Sequence, residues 1–74
     1  MKLTSTALKS ITTKTRNRIA LELNCSVYTV DRWIKDNEDN GDLTKAKPVQ
    51  IIAEETGLGN SEILEEATEK ETQN

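Results

Sequence analysis

The segment that most constrains this chain runs over residues 16–34, RNRIALELNCSVYTVDRWI. Two sets of apolar residues in it recur at the spacing of one helix face: Ile19, Ala20 and Leu23, and then Val30, Trp33 and Ile34. The pattern breaks between them at Asn24, which tolerates the left-handed conformation that ends a helix, and at Ser26, a preferred N-cap. The segment therefore predicts two short amphipathic helices joined by a turn of about three residues, a helix-turn-helix.

The formal net charge of −3 hides an uneven distribution along the chain. Residues 1–35 carry seven basic and two acidic side chains, a net +5, whereas residues 36–74 carry three basic and eleven acidic, a net −8. The basic half contains the predicted helix-turn-helix. A positive surface there would neutralise phosphates and release counterions, and an acidic opposite end would orient docking. We therefore expect double-stranded DNA as the partner, the alternative being that both halves are solvated surface.

Length and residue types exclude several classes of protein. A chain of 74 residues makes one domain with a small core. It has no His, and its one cysteine, Cys25, is expected to be a small buried filler, so a disulfide, a zinc site and a nucleophile paired with a base are not expected. We predict neither an enzyme nor a cofactor, and no small-molecule ligand. The N-terminal residues show no continuous apolar run typical of a secretory signal or membrane span, so a cytoplasmic location is expected.

Start and stop signals predict an all-α fold, a compact bundle of about five short helices without strands. A first helix should be capped by Thr4 or Ser5 and end near Thr13. Thr15 is predicted to cap the second helix. The third should open at Ser26 or Cys25 and run to about residue 36, and residues 37–42, NEDNGD, have the composition of a loop.

The second half of the chain predicts two more helices and a tail. The fourth helix should start at Thr44 or Lys45, with Pro48 in its first turn and Gly57 at its end. The fifth should be capped by Asn60 or Ser61, and its apolar residues are Ile63, Leu64 and Ala67. The domain is thus expected over residues 1–64, followed by an acidic, disordered tail over residues 65–74.

Residues 15–33 resemble the helix-turn-helix of the lambda-repressor-like family, which includes Cro, phage repressors and XRE-type regulators. Arg16 stands where the family's second helix begins, usually with Gln, Ala20 takes the small interhelical position, and Asn24 replaces the usual turn Gly. Later residues resemble the family's fourth and fifth helices: Ile52, Ala53, Gly57, Leu58, Ser61 and Leu64. The resemblance implies a small Cro-like or XRE-type transcriptional regulator, with repression as the expected effect. A protein-binding modulator or antirepressor with the same fold remains the alternative.

The same resemblance implies that the third helix, about residues 26–36, lies in the major groove. The residues expected at base edges are Ser26, Val27, Tyr28, Thr29 and Arg32. Arg32 is the candidate for a bidentate contact to guanine, and the alternative for it is a surface ion pair, for example with Asp31. Trp33 lies on the predicted buried stripe, so we expect it in the core rather than stacked on a base.

Phosphate contacts are expected from the ends of the helices, where free N–H groups and basic side chains occur. The candidates are Lys14, Thr15 and Arg16 before and at the start of the second helix, Lys35 and Asn37 after the third, and Lys9 more distantly. The operator would be two-fold symmetric, which allows a homodimer. Leu58, Ile63 and Leu64 are the candidate dimer surface unless the monomer's own core uses them.

Overall fold

A computed structural model describes residues 1–66 of the chain. Its elements follow in the order β1 Lys2–Leu3, α1 Ser5–Ser10, α2 Thr13–Glu22, α3 Val27–Asp36, a 3₁₀ turn Asp42–Thr44, α4 Ala46–Thr56, α5 Asn60–Ile63 and β2 Leu64–Glu65. The predicted fold class, a small all-α bundle of about five helices, is confirmed.

The prediction of no strands is wrong, because β1 and β2 form a short antiparallel pair. Lys2 lies opposite Glu65 and Leu3 lies opposite Leu64. Leu64 was expected in the fifth helix, but its backbone is extended. A two-residue strand is too short to show the alternation by which strands are recognised in a sequence. Glu65 therefore belongs to the folded domain, whereas residues 67–74, which include Ala67, lie outside the described residues.

Threonine and serine hydroxyls cap the first three helices. Thr4 accepts from the Ala7 N–H at 3.0 Å, Thr12 from the Thr15 N–H at 3.3 Å, and Ser26 from the Thr29 N–H at 3.2 Å. The caps of α1 and α3 confirm the predictions. The prediction that Thr15 caps the second helix is wrong, because the backbone already turns helical at Thr13 and puts Thr15 inside the first turn.

The connection between α2 and α3 spans residues 23–26 and brings the two helices into contact. Asn24 adopts the predicted left-handed conformation, with φ at 57°. The Cys25 N–H then donates to the Ala20 carbonyl at 2.9 Å, which holds the start of α3 against the end of α2. Ala20 itself is buried, as expected of a small residue where two helices approach closely.

The fourth helix begins and ends at the predicted residues, and the fifth begins close to its predicted start but ends at Ile63. Lys45 is the N-cap of α4, Pro48 lies in its first turn, and Gly57 ends it with φ at 79°, a conformation that favours glycine. The cap of α5 was predicted one or two residues too late. Gly59 takes that place, and its N–H donates to the Glu62 carboxylate at 2.9 Å.

One apolar core joins all five helices and the strand pair. Its fully buried large side chains come from β1 and from α2 to α5, namely Leu3, Ile19, Val30, Ile51, Ile52 and Ile63, and α1 adds the buried Ala7. Trp33 is half-buried and packs on this core, as its position on the apolar stripe predicted. Ile63 is completely buried, and Leu58 and Leu64 pack on the core, so the monomer itself uses the predicted dimer residues.

Candidate nucleic-acid interface

The N-terminal end of α3 is capped and presents exposed side chains. Tyr28 is 87% exposed and Val27 is 37% exposed. Ser26 and Thr29 are partly occupied by the cap, because their hydroxyl oxygens lie 3.1 Å apart and Ser26 also accepts the Thr29 N–H. Of the predicted base-contacting residues, Val27 and Tyr28 are therefore the most open to a partner at this end.

Two basic side chains of α3 are exposed and unpaired. Arg32 and Lys35 make no ion pair or side-chain hydrogen bond within residues 1–66. The alternative considered for Arg32, a pair with Asp31, is not formed. Asp31 is instead held by Arg16, and this leaves the Arg32 guanidinium available for another acceptor.

Arg16 links α2 to α3 instead of facing solvent alone. Its Nε lies 3.2 Å from the Asp31 carboxylate, and its Nη2 donates to the Thr13 hydroxyl at 3.1 Å. The Arg16 side chain is 31% exposed, so it lies at the surface, and the Asp31 carboxylate compensates much of its charge. A phosphate would have to compete with Asp31 for this guanidinium.

Arg18 is the centre of an ion-pair network that the sequence did not reveal. It donates to Glu22 at 2.6 Å, to Glu54 at 2.5 Å and to Glu55 at 3.0 Å, which joins α2 to α4. These three carboxylates, Glu22 first, raise the pKa of Arg18. Hydrogen bonds from Arg18 in turn lower the pKa of Glu22, which Lys47 also contacts, and of Glu54.

The N-terminus of α2 differs from the prediction. Thr15 is only 1% exposed, and its hydroxyl lies 3.2 Å from that of Thr12, so it cannot offer a hydroxyl to a phosphate in this conformation. The N–H groups of Thr15 and Arg16 are also used, both by Thr12. Lys14 remains mostly exposed, with Glu55 at 3.8 Å as a loose partner.

Asn37 likewise has a structural role that the sequence did not indicate. Its side-chain amide accepts from the Leu3 N–H at 2.9 Å and donates to the Leu3 carbonyl at 3.0 Å. A phosphate contact by this amide would break both bonds. The predicted phosphate-contacting residues are thus divided between the open Lys14 and Lys35, the paired Arg16, and the occupied Thr15 and Asn37.

An exposed leucine adds an apolar feature that the sequence analysis did not single out. Leu21 on α2 is 81% exposed. The apolar stripe of Ile19, Ala20 and Leu23 predicts this, since Leu21 lies two residues after Ile19 and therefore on the opposite side of the helix. Leu21 is thus an isolated apolar side chain on the solvent-facing side of α2.

The fold is a small all-α bundle. In it, a short turn joins α2 to α3, and α3 carries exposed side chains. Comparison with protein-family models, with curated proteins and with solved structures finds no match. Over residues 1–66, no helix is long and apolar enough to cross a membrane. The same residues contain no group of three His, Cys, Asp or Glu side chains that could hold a metal ion.

Proposed function

We propose that this protein binds double-stranded DNA through α3 and acts as a small transcriptional regulator. The observation that carries the proposal is the display of Tyr28, Arg32 and Lys35 from a capped helix that follows a short turn. Such a helix fits the major groove, where an arginine can donate two hydrogen bonds to guanine. The resemblance of residues 15–33 to lambda-repressor-like regulators supports the same role, with repression as its expected effect.

The phosphate contacts of this proposal come from the sites that the fold leaves open. Lys14 at the start of α2 and Lys35 near the end of α3 are exposed cations on the two helices of the motif. At the N-terminus of α2, the Thr13 and Lys14 N–H groups precede the first helical bonds, where the helix dipole favours an anion. Thr15 and Asn37 are no longer part of the proposed contact set.

Fluorescence anisotropy with a labelled random-sequence duplex tests the proposal. We expect binding at low salt that weakens steeply as salt rises, because each neutralised phosphate releases a counterion. Lys35→Gln should lower the slope of log K against log salt by about 1. Lys45→Gln is the matched control, since Lys45 is an exposed and unpaired cation outside the two helices of the motif.

Amide shifts in an NMR titration should identify the bound face on the same samples. Changes at residues 13–16 and 26–37 that disappear with salt support DNA binding by this surface. If the labelled duplex causes no shifts at low salt while the spectrum remains that of a folded protein, the DNA proposal is overturned. If the shifts appear and disappear with salt, the next experiment is a selection of the operator sequences that the protein binds.

A protein-binding modulator is the second candidate, and one observation favours it. Acidic residues compensate much of the positive charge of α2: Arg16 by Asp31, and Arg18 by three glutamates. Leu21 and Tyr28 are at the same time exposed on the two helices of the motif. Exposed apolar side chains, together with compensated arginines on α2, suit a protein partner, such as another regulator, better than a phosphate backbone.

The two candidates differ in which substitutions abolish binding. If DNA is the partner, Lys35→Gln lowers the affinity for DNA and Leu21→Ser leaves this affinity nearly unchanged. If another regulator is the partner, Leu21→Ser weakens the complex, and the affinity for DNA is low at every sequence and salt concentration. Both variants replace exposed side chains, so both should keep the folded spectrum.

A further inference from the structure

A pocket of about 260 Å³ lies at the C-terminal end of α3. Its apolar lining residues are Trp33, which is half-buried, and Leu43, which is almost fully buried; its charged lining residues are Asp36, Glu38, Asp42 and Arg32. The volume is somewhat below the range of about 300–1,000 Å³ that is typical of sites for drug-sized ligands. A small molecule would fit it. The sequence alone predicted no small-molecule ligand.

The pocket wall is shaped by hydrogen bonds of the loop itself. The Gly41 N–H donates to the Glu38 carbonyl at 3.0 Å, and the Gly41 carbonyl accepts from the Thr44 N–H at 3.0 Å and from its hydroxyl at 2.7 Å. A Cβ on Gly41 would meet the Glu38 Cβ and carbonyl oxygen at 3.1 Å, so the loop folds closely on itself. The concave surface is therefore formed before any ligand binds.

The charge around the pocket is negative. The three carboxylates against one guanidinium leave a formal excess of two negative charges. None of Asp36, Glu38 and Asp42 makes an ion pair or a side-chain hydrogen bond within the described part of the chain. The C-terminal end of α3 adds the negative pole of its helix dipole. These charges favour a cation.

The apolar residues that line the pocket indicate which type of cation it would bind. An indole face attracts ammonium groups through its quadrupole, and the apolar surface of Trp33 and Leu43 suits methylene groups. Among residues 1–66, the three carboxylates do not form a group that could hold a metal ion. An organic ammonium with a short alkyl chain matches both the apolar wall and the carboxylates, which a hydrated metal ion does not.

We propose that the pocket between the end of α3 and the Asp42–Thr44 turn binds a small alkylammonium ligand. The ammonium lies among Asp36, Glu38 and Asp42, and the alkyl chain packs against Trp33. This binding does not depend on the proposed contact with DNA. It would, however, place a positive charge beside Arg32, on the helix proposed to read DNA.

The intrinsic fluorescence of Trp33 tests the pocket directly, because it is the one tryptophan of the chain. The probe is 1,5-diaminopentane, added to the intact protein at constant ionic strength. We expect a saturable change in fluorescence and amide shifts centred on residues 32–44. The two matched probes are 1-pentanol, which has the chain without the charge, and ammonium chloride, which has the charge without the chain. Neither should produce a saturable change.

Replacing each carboxylate by the corresponding carboxamide shows which carboxylates contribute to diaminopentane binding. Asp36→Asn, Glu38→Gln and Asp42→Asn should each weaken diaminopentane binding by about 1.5- to five-fold, as is typical of exposed charge pairs. Glu66→Gln is the matched control, since this exposed carboxylate does not line the pocket. All four positions are exposed, so the variants should keep the fold.

Three results would overturn the proposal. The first is a lack of saturable change in both fluorescence and amide shifts up to the solubility limit of diaminopentane. The second is an equal response to 1-pentanol, which would show an apolar cleft without selectivity for cations. The third is an equal loss of affinity in Glu66→Gln, which would show general charge attraction instead of a site.

Discussion

The Asn37 side chain pairs with the backbone of Leu3 as a neighbouring strand would. Its carboxamide oxygen accepts from the Leu3 N–H, and its amide nitrogen donates to the Leu3 carbonyl. Asn37 also ends α3 in the left-handed conformation, with φ at 43°. One residue thus ends the proposed recognition helix and fixes the first strand beside it.

Replacing Asn37 should therefore destabilise the fold. We expect Asn37→Gly to lower the free energy of unfolding by about 1–3 kcal/mol, because two partly buried hydrogen bonds are lost while the left-handed backbone remains easy to adopt. Urea denaturation followed by circular dichroism measures the change. Asn24→Gly is the control, because Asn24 has the same backbone conformation, with φ at 57°, and makes no side-chain hydrogen bond within residues 1–66. Equal effects of the two variants would contradict the structural role of Asn37.

The Arg18 network should make stability depend on acid pH. Arg18 lowers the pKa of Glu22 and of Glu54 below the ordinary value of 4.5, so the unfolded chain binds protons more readily than the folded one. The stabilisation is present above pH 4.5 and is lost as the pH falls through the lower pKa values of the folded state. Thermal melts at a series of pH values should show a modest decline in melting temperature below about pH 4.5, because the ion pairs lie at the surface.

Arg18→Gln should flatten that decline and lower the melting temperature at neutral pH. Arg32→Gln removes an arginine that has no ion pair within the described residues, so it should leave the pH profile unchanged. A profile for Arg18→Gln that matches the unmodified protein would show that the network contributes nothing to acid stability.

Releasing Arg16 should strengthen the proposed binding to DNA. Asp31→Asn removes the carboxylate that holds the Arg16 guanidinium at 3.2 Å, and it also removes a negative charge from α3. We expect a higher affinity for random-sequence duplex and a salt slope steeper by about 1, since one further phosphate is neutralised. Asp36→Asn removes a charge from the same helix without releasing an arginine. Anisotropy titrations in which both variants gain equally would assign the effect to net charge alone.

Substitutions of Thr15 and Lys14, at the start of α2, should have opposite effects on stability and on DNA affinity. Thr15→Val keeps the buried volume but loses the hydroxyl beside Thr12, so we expect a loss of about 1 kcal/mol in stability and unchanged DNA affinity below the melting transition. Lys14→Gln should show the reverse, because Lys14 is exposed and only loosely paired. A loss of DNA affinity in folded Thr15→Val would return Thr15 to the contact set.

The helices could be predicted because their signals are local. The apolar stripes of α2 and α3, the Ser26 cap, the left-handed Asn24 and the terminal Gly57 all depend on residues within a few positions of each other. The strand pair could not be predicted in the same way. It joins residues more than sixty positions apart, and each strand has only two residues.

The candidate site shows the same distinction. The exposure of Tyr28 and the burial of Trp33 follow from the period of one helix, so the sequence indicated both. The partners of Arg18 on α4, of Arg16 on α3 and of Asn37 on β1 depend on how elements pack. A count of basic residues therefore overestimated the free positive charge of the motif.

The antiparallel pair of β1 and β2 also determines how the domain resists force. Because Lys2 lies opposite Glu65, the start of β1 and the end of β2 lie at the same end of the pair. Tension applied through these two ends would break the hydrogen bonds between the strands one after another instead of all at once. The domain should then open at low force from the strand pair, and α1 and α5 would be the first helices to lose their neighbours.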